Sequence, residues 1–226
     1  MIKDILKNDG RHIGSAFVKV YPLALRRATT HWELTLAAVF AIISAFYLDD
    51  AARSIVTGLS GNVVDSLFSF GRWYGNGMPT LYAFLGLYFL GLIFKKYKLR
   101  AAGLLVAEAY IFSGLITVIM KSISGRWRPY MNKNSLDFHG WSFSNNDQFS
   151  FFSGHAAVSF ALSTILASTT DNIYLKAFYY SLAVITCLSR IYHQQHWLSD
   201  IVSGAIIAYL ISRVLVAIHN EPEGNI

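Results

Sequence analysis

Residues 189–218 read SRIYHQQHWLSDIVSGAIIAYLISRVLVAI. The first part is polar and ionisable, with Arg190, His193, His196 and Asp200 within one short stretch. From Leu198 to Ile218 the chain is almost wholly apolar. A bilayer core of ~30 Å needs about 20 such residues at helical rise. The stretch therefore predicts a membrane helix whose first turn sits beside a cluster of titratable groups.

Working outward, five further apolar stretches precede it, at about 34–48, 78–94, 101–120, 155–168 and 174–189. Six transmembrane helices in one all-α bundle, forming a single domain over 1–226, are the expectation. The composition agrees: 54% of the 226 residues are hydrophobic and the mean hydropathy is +0.41, more than a soluble core of this length buries. The formal charge of +6 falls in short clusters beside apolar runs, with no continuous basic stripe, so nucleic acid is not the expected partner. The single cysteine, Cys187, excludes an intrachain disulfide and a cysteine metal cluster. Residues 1–20 lack the apolar run and cleavage site of a secretory signal.

Between the first two spans, 51–77 mixes apolar residues with glycines and charges, which predicts an interfacial amphipathic segment. The stretch 129–152 is polar and aromatic without periodicity and is expected to be a loop or lid. Lysine and arginine resist translocation. They concentrate in the arm 1–32, at Lys3, Lys7, Arg11, Lys19, Arg26 and Arg27, and in the turn carrying Lys95, Lys96, Lys98 and Arg100. Both termini are therefore expected in the cytoplasm, and 121–155 and 189–200 on the opposite side.

Those two segments hold the residues suited to chemistry. Lys121 is followed after six residues by Arg128 and Pro129; then come Ser153, Gly154 and His155; then Ser189, Arg190, His196 and Asp200. Order and spacing resemble the three-part signature KxxxxxxRP, PSGH, SRxxxxxHxxxD of the type 2 phosphatidic acid phosphatase superfamily. That superfamily also includes lipid phosphate phosphatases, undecaprenyl diphosphate phosphatases, glucose-6-phosphatases and vanadium haloperoxidases. Three pieces in order are far more specific than any one. The chain departs at Phe152, where the family usually has proline.

The residue types suit phosphoryl transfer, in which charge stays on three equatorial oxygens and catalysis is mostly positioning and electrostatics. Lys121, Arg128 and Arg190 supply cations, arginine as a planar fork and lysine as a point charge. Ser153 and Gly154 precede a helix, whose free N–H groups favour an anion. Asp200, at i+4 from His196, can hold that imidazole in the attacking tautomer. His155 can protonate the leaving oxygen and then activate water. The resemblance implies the same roles: a phosphohistidine at His196, acid–base work by His155, and a catalytic core over about 101–218. No metal or cofactor is expected, because a two-metal site needs several bridging carboxylates and these segments offer only Asp137, Asp147 and Asp200.

Other readings are weaker. Basic residues at span ends often anchor a helix at the headgroups, and Arg126 and Lys133 are read that way. His193 lacks an acidic residue at i+4; His12, His31, His139 and His219 have no supporting constellation. Glu108, within the third span, is costly there and has no partner legible in the chain. Gly86, Gly91, Gly114 and Gly204 are read as packing positions.

The expected function is hydrolysis of a lipid phosphate or diphosphate of the phosphatidic acid, phosphatidylglycerophosphate, undecaprenyl diphosphate or lipid A class. The expected setting is a bacterial cytoplasmic membrane with the site on the periplasmic side, and no obligate protein partner is implied. A lipid-linked phosphotransferase is the nearest alternative; a non-catalytic lipid-binding or transport protein would have little use for both histidines.

Overall fold

Asn76, Ser153 and Asn172 each precede an apolar stretch, and each accepts a bond from the backbone N–H of a first-turn residue: Met78 at 3.2 Å, Ala156 at 3.4 Å and Tyr174 at 2.9 Å. Such caps satisfy N–H groups that have no partner inside the helix. They start α5 (Gly77–Ile93), α7 (Gly154–Ser168) and α8 (Ile173–Tyr192) in the computed structural model, which describes residues 2–143 and 145–220. Before these come α1 (Ile2–Thr30), α2 (Trp32–Tyr47), α3 (Asp49–Thr57) and α4 (Asn62–Tyr74). Two long helices complete the bundle, α6 (Tyr97–Ser124) and α9 (Leu198–His219). Gly125 ends α6 in the left-handed region, at φ 55°. A Cβ there would lie 1.9 Å from the Gly140 carbonyl oxygen, so only glycine fits.

The protein is an all-α membrane bundle, and α2, α5, α6, α7, α8 and α9 occupy the six expected stretches. They are not six plain spans. Among the described residues, only α6 and α9 are long and apolar enough to cross a bilayer alone. The pairs α1–α2 and α4–α5 qualify as bent pairs, at 96° and 57°. With 15 residues, α7 reaches roughly 22 Å at 1.5 Å per residue, short of the hydrocarbon thickness.

Side chains such as Phe40, Phe89, Val118 and Phe178 point outward and exposed, an apolar exterior that suits lipid. The interior between α6, α7 and α9 is filled by Phe112, Ala157, Ala161, Ile165, Ala208, Ile211 and Leu215. Small residues let α7 and α9 approach closely. At Gly204 a Cβ would stand 2.6 Å from the Ser153 carbonyl oxygen. Gly91 likewise abuts the Arg100 backbone, whereas Gly86 and Gly114 face open space and are not packing positions.

The 51–77 segment forms most of α3 and all of α4. Phe68 packs on Tyr192 with ring centroids 4.8 Å apart, and Thr186 Oγ1 donates to the Gly71 carbonyl at 2.8 Å. These contacts brace α4 against α8, so the amphipathic segment covers a flank of the bundle. The N-terminal segment also docks. Ala16 and Val20 are fully buried in α1, Tyr21 donates to the Phe112 carbonyl at 3.2 Å, and Asp9 pairs with Arg100 at 3.3 Å. Arg100 is thus a buried partner in α6, and the turn before it is Phe94–Lys96.

Glu108 faces His219, whose Nδ1 lies 3.7 Å from its carboxylate, beyond hydrogen-bond reach, and the His219 ring stacks on His12 with centroids 5.3 Å apart. The three come from α6, α9 and α1, which is why no local pattern reveals them.

Candidate active site

Lys121 stands in the last turn of α6, Ser153 to His155 at the start of α7, Arg190 near the end of α8, and His196 and Asp200 at the junction into α9. The antiparallel order of the helices puts all these ends together. Lys121 lies within electrostatic reach of Arg128, Asp200 and Arg190, and His155 within reach of Arg190, His196, Lys121 and Arg128. A Cβ at Gly154 would meet only Lys121 Nζ, at 3.7 Å, so the bare backbone leaves room beside the ammonium. Ser153 holds its capping position with phenylalanine at 152, and its N–H donates to the Asp200 carbonyl at 3.0 Å. The substitution of proline therefore leaves the helix start in place.

The arginines differ in how they are engaged. Arg128 is aimed by the loop: Nη1 donates to Gln195 Oε1 at 2.6 Å, Nε to the Asn146 carbonyl at 2.9 Å, and Nη2 to Asn146 Oδ1 at 3.0 Å. Arg190 is 5% exposed, yet its Nε and Nη1 have no hydrogen-bond partner among the described residues. Buried N–H groups are rarely left unpaired, so these two donors are available to an acceptor that enters the site.

His196 is 2% exposed. Its Nδ1 faces Asp200 Oδ2 at 3.5 Å and makes no other bond, a contact slightly longer than a good hydrogen bond. Burial pushes the His196 pKa down to about 3, so the ring is neutral at pH 7. With Nδ1 turned to the carboxylate, Nε2 is the ring nitrogen left free of that contact. His193, by contrast, is spent on the end of α8, with Nδ1 2.8 Å from the Ser189 carbonyl oxygen.

Arg126 corrects the sequence reading. It is 0% exposed, not a headgroup contact, and bonds Asp200 and Asp49. Ser150 Oγ also donates to Asp200 Oδ2, at 2.5 Å, and the Trp197 N–H at 2.8 Å. Asp49 and Ser150 fall outside the three motifs, and Ser199 stands at an unspecified position of the third; the one local signal was the acidic pair Asp49–Asp50 closing the first apolar stretch. Lys133 is exposed and lies 5.9 Å from the Trp127 ring centroid.

The loop is no free lid. It folds through short turns at Pro129–Met131 and Asn146–Gln148, and its Phe138 and Phe151 flank the Arg126 guanidinium at 5.1 and 5.8 Å. Among the described residues no group of three or more His, Cys, Asp or Glu is placed to hold a metal ion. A groove of about 430 Å³ lies at the other end of the bundle, between Lys96, Leu99 and Thr169, away from the motif residues.

The PAP2 superfamily model matches residues 102–223, more than half of the chain. No curated protein sequence matches. Among solved structures, LpxE of Aquifex aeolicus is similar at TM-score 0.57 and 21% identity, over 75% of this chain and 95% of that one. The first transmembrane PAP2 type phosphatidylglycerolphosphate phosphatase from Bacillus subtilis is similar at TM-score 0.59 and 18% identity, over 91% and 94%. At these identities the likeness is one of fold.

Proposed function

From the premise that the chain belongs to the PAP2 superfamily and is a membrane phosphatase, we propose that it hydrolyses a lipid phosphate through a phosphohistidine at His196. The observation that carries this reading is the pair of unpaired Arg190 donors, Nε and Nη1, buried beside two imidazoles and two further cations. A tetrahedral anion is the ligand whose oxygens can engage those donors, Lys121, Arg128 and the N–H groups opening α7 at once.

His196 Nε2 attacks phosphorus and the bond to the lipid oxygen breaks, while His155, which enters the reaction as the imidazolium because the bound phosphate offsets the charge of Lys121, Arg128 and Arg190 around it, gives its proton to that oxygen. Asp200 stabilises the positive charge that develops on the His196 ring. His155 then takes a proton from water, whose oxygen attacks phosphorus and breaks the P–N bond. Inorganic phosphate leaves and the neutral His196 ring is restored. No step requires a metal.

A lipid is the favoured substrate because the site lies at the helix ends, where a headgroup can enter while its chain stays in the bilayer. Support for that depth comes from Trp141 and Phe143 on the adjoining loop, which stack at 6.1 Å and are 69% and 71% exposed. Aromatic residues favour the membrane interface. The lysines of the α5–α6 turn lie at the opposite end, which supports a cytoplasmic turn, cytoplasmic termini and an extracytoplasmic site in a bacterial inner membrane.

The test is phosphate release by purified protein from phosphatidic acid, phosphatidylglycerophosphate, undecaprenyl diphosphate and lipid A, with His196→Ala and His155→Ala alongside. Each variant is expected to lose at least roughly 10²-fold in kcat; full activity in the His196 variant would reject its role. Chelator is expected to leave the rate unchanged, and an inhibition reversed by a divalent ion would contradict the metal-free route.

A further inference from the structure

All five N–H donors of Arg126 are taken. Nε donates to the Ser135 carbonyl at 2.9 Å. Nη1 donates to Asp200 Oδ1 and to Ser199 Oγ, the latter at 2.7 Å. Nη2 donates to Asp49 Oδ2 and to the Ser135 carbonyl, both at 2.6 Å. A guanidinium carries five such donors and no more. Arg126 therefore has none left for a phosphate, in contrast to Arg190, whose Nε and Nη1 are unpaired.

Asp49 is fixed as firmly. It accepts from the Ser199 N–H and from Ser199 Oγ, each at 2.8 Å, besides Arg126. The side chains of Asp49, Arg126 and Asp200 are all 0% exposed. The rings of Phe46 and Phe138 stand 4.9 and 5.1 Å from the guanidinium carbon and help exclude water. Burial raises the Asp49 pKa, while the Arg126 guanidinium and the two Ser199 bonds oppose that shift. With both carboxylates ionised, the buried cluster carries one net negative charge, and Asp200 Oδ2 turns it toward the His196 ring.

We propose that Asp49 and Arg126 are positioning residues for the reaction: together they fix the Asp200 carboxylate and keep the cluster anionic, so that it stabilises the imidazolium formed when His196 takes the phosphoryl group. Arg126 alone would orient Asp200 but cancel its charge. Asp49 restores that charge from α3, outside the residues that the family model matches. Catalytic competence then depends on the α2–α3 junction as well as on the motif-bearing helices. This inference rests on the phosphohistidine reading given above.

The test is steady-state hydrolysis of dioctanoyl phosphatidic acid in detergent by Asp49→Asn, Asp49→Glu and Ser199→Ala, with His196→Ala in the same series. Asp49→Asn keeps the shape and removes the charge; its kcat is expected to fall roughly 10- to 100-fold, the loss typical when the outer partner of a functional histidine is removed. Its KM is expected to stay within about twofold, because the phosphate contacts are untouched. Asp49→Glu, with the charge retained, is expected to recover a large part of that loss. Wild-type kcat in Asp49→Asn, or a rise in KM alone, would overturn the proposal. If Asp49→Asn does not fold, Ser199→Ala decides: a several-fold drop in kcat at constant KM supports the proposal and wild-type kcat rejects it. Activity in His196→Ala would instead reject the phosphohistidine reading itself, so the two failures are distinguishable.

Discussion

Arg190 and Arg126 show what a residue's surroundings add to its type. Both are buried arginines, yet Arg126 has every donor occupied and Arg190 has buried donors unpaired. Replacing Arg190 by Lys keeps a charge and removes the planar fork. We expect kcat/KM for a lipid phosphate to fall roughly 10²- to 10³-fold, the range for losing one preorganised donor set at a transition state; an unchanged value would show that the fork does not hold the anion. His196 gives a pH prediction with a definite sign. Its folded pKa of about 3 lies below its ordinary 6.5, so between those values the unfolded chain binds the extra proton. The stability it contributes is complete above pH 6.5 and is lost as pH falls toward 3. Thermal unfolding in detergent should show Tm declining below pH 6.5, and His196→Asn should make that limb shallower by the share His196 contributes; an equally steep decline in the variant would contradict it. At this scale the motif residues were legible from spacing, because each lies at a fixed interval from its neighbours. Arg126 was not, since its partner Asp49 is 77 residues away and no local pattern joins them.

At the scale of elements, the apolar stretches mark the helices to within a few residues, and the caps Asn76, Ser153 and Asn172 explain why. The bends between α1 and α2 and between α4 and α5 were not legible, because they depend on what each helix packs against. Two glycines fix the elements that carry the site. Gly125 turns the chain from Lys121 toward Arg126 and Arg128, and Gly204 lets α9 meet the cap of α7. Gly204→Ala forces a methyl group against the Ser153 carbonyl, 2.6 Å away. The expected cost is about 1–3 kcal/mol, read as a lower Tm, together with reduced kcat because Ser153 and Gly154 must shift. A variant with unchanged Tm and kcat would show that α7 and α9 are held apart by something else.

Across the whole molecule, polar pairs tie the N-terminal helix to the bundle. Asp9 pairs with Arg100 and accepts from Tyr88 Oη at 2.9 Å, and the His12–His219 stack leads to Glu108. The sequence offered the first 32 residues as an arm and Glu108 with no neighbour; only three helices brought together show that α1 docks and that Glu108 faces His219. Removing Asp9 as Asp9→Ala strands a buried guanidinium, a loss of about 3–5 kcal/mol for such pairs. A clear drop in Tm is expected; no drop would mean that α1 docks through its apolar face alone. Six expected spans, two bent pairs among them, bring every motif residue to one end of the bundle. The central claim, that His196 carries the phosphoryl group, can be tested by trapping. Protein mixed with ³²P-labelled phosphatidic acid and quenched in base within milliseconds should hold label that is stable to alkali, lost in acid and located by peptide mapping at His196. Label at another residue, or turnover by native enzyme with the same label in His196→Ala, would contradict the account.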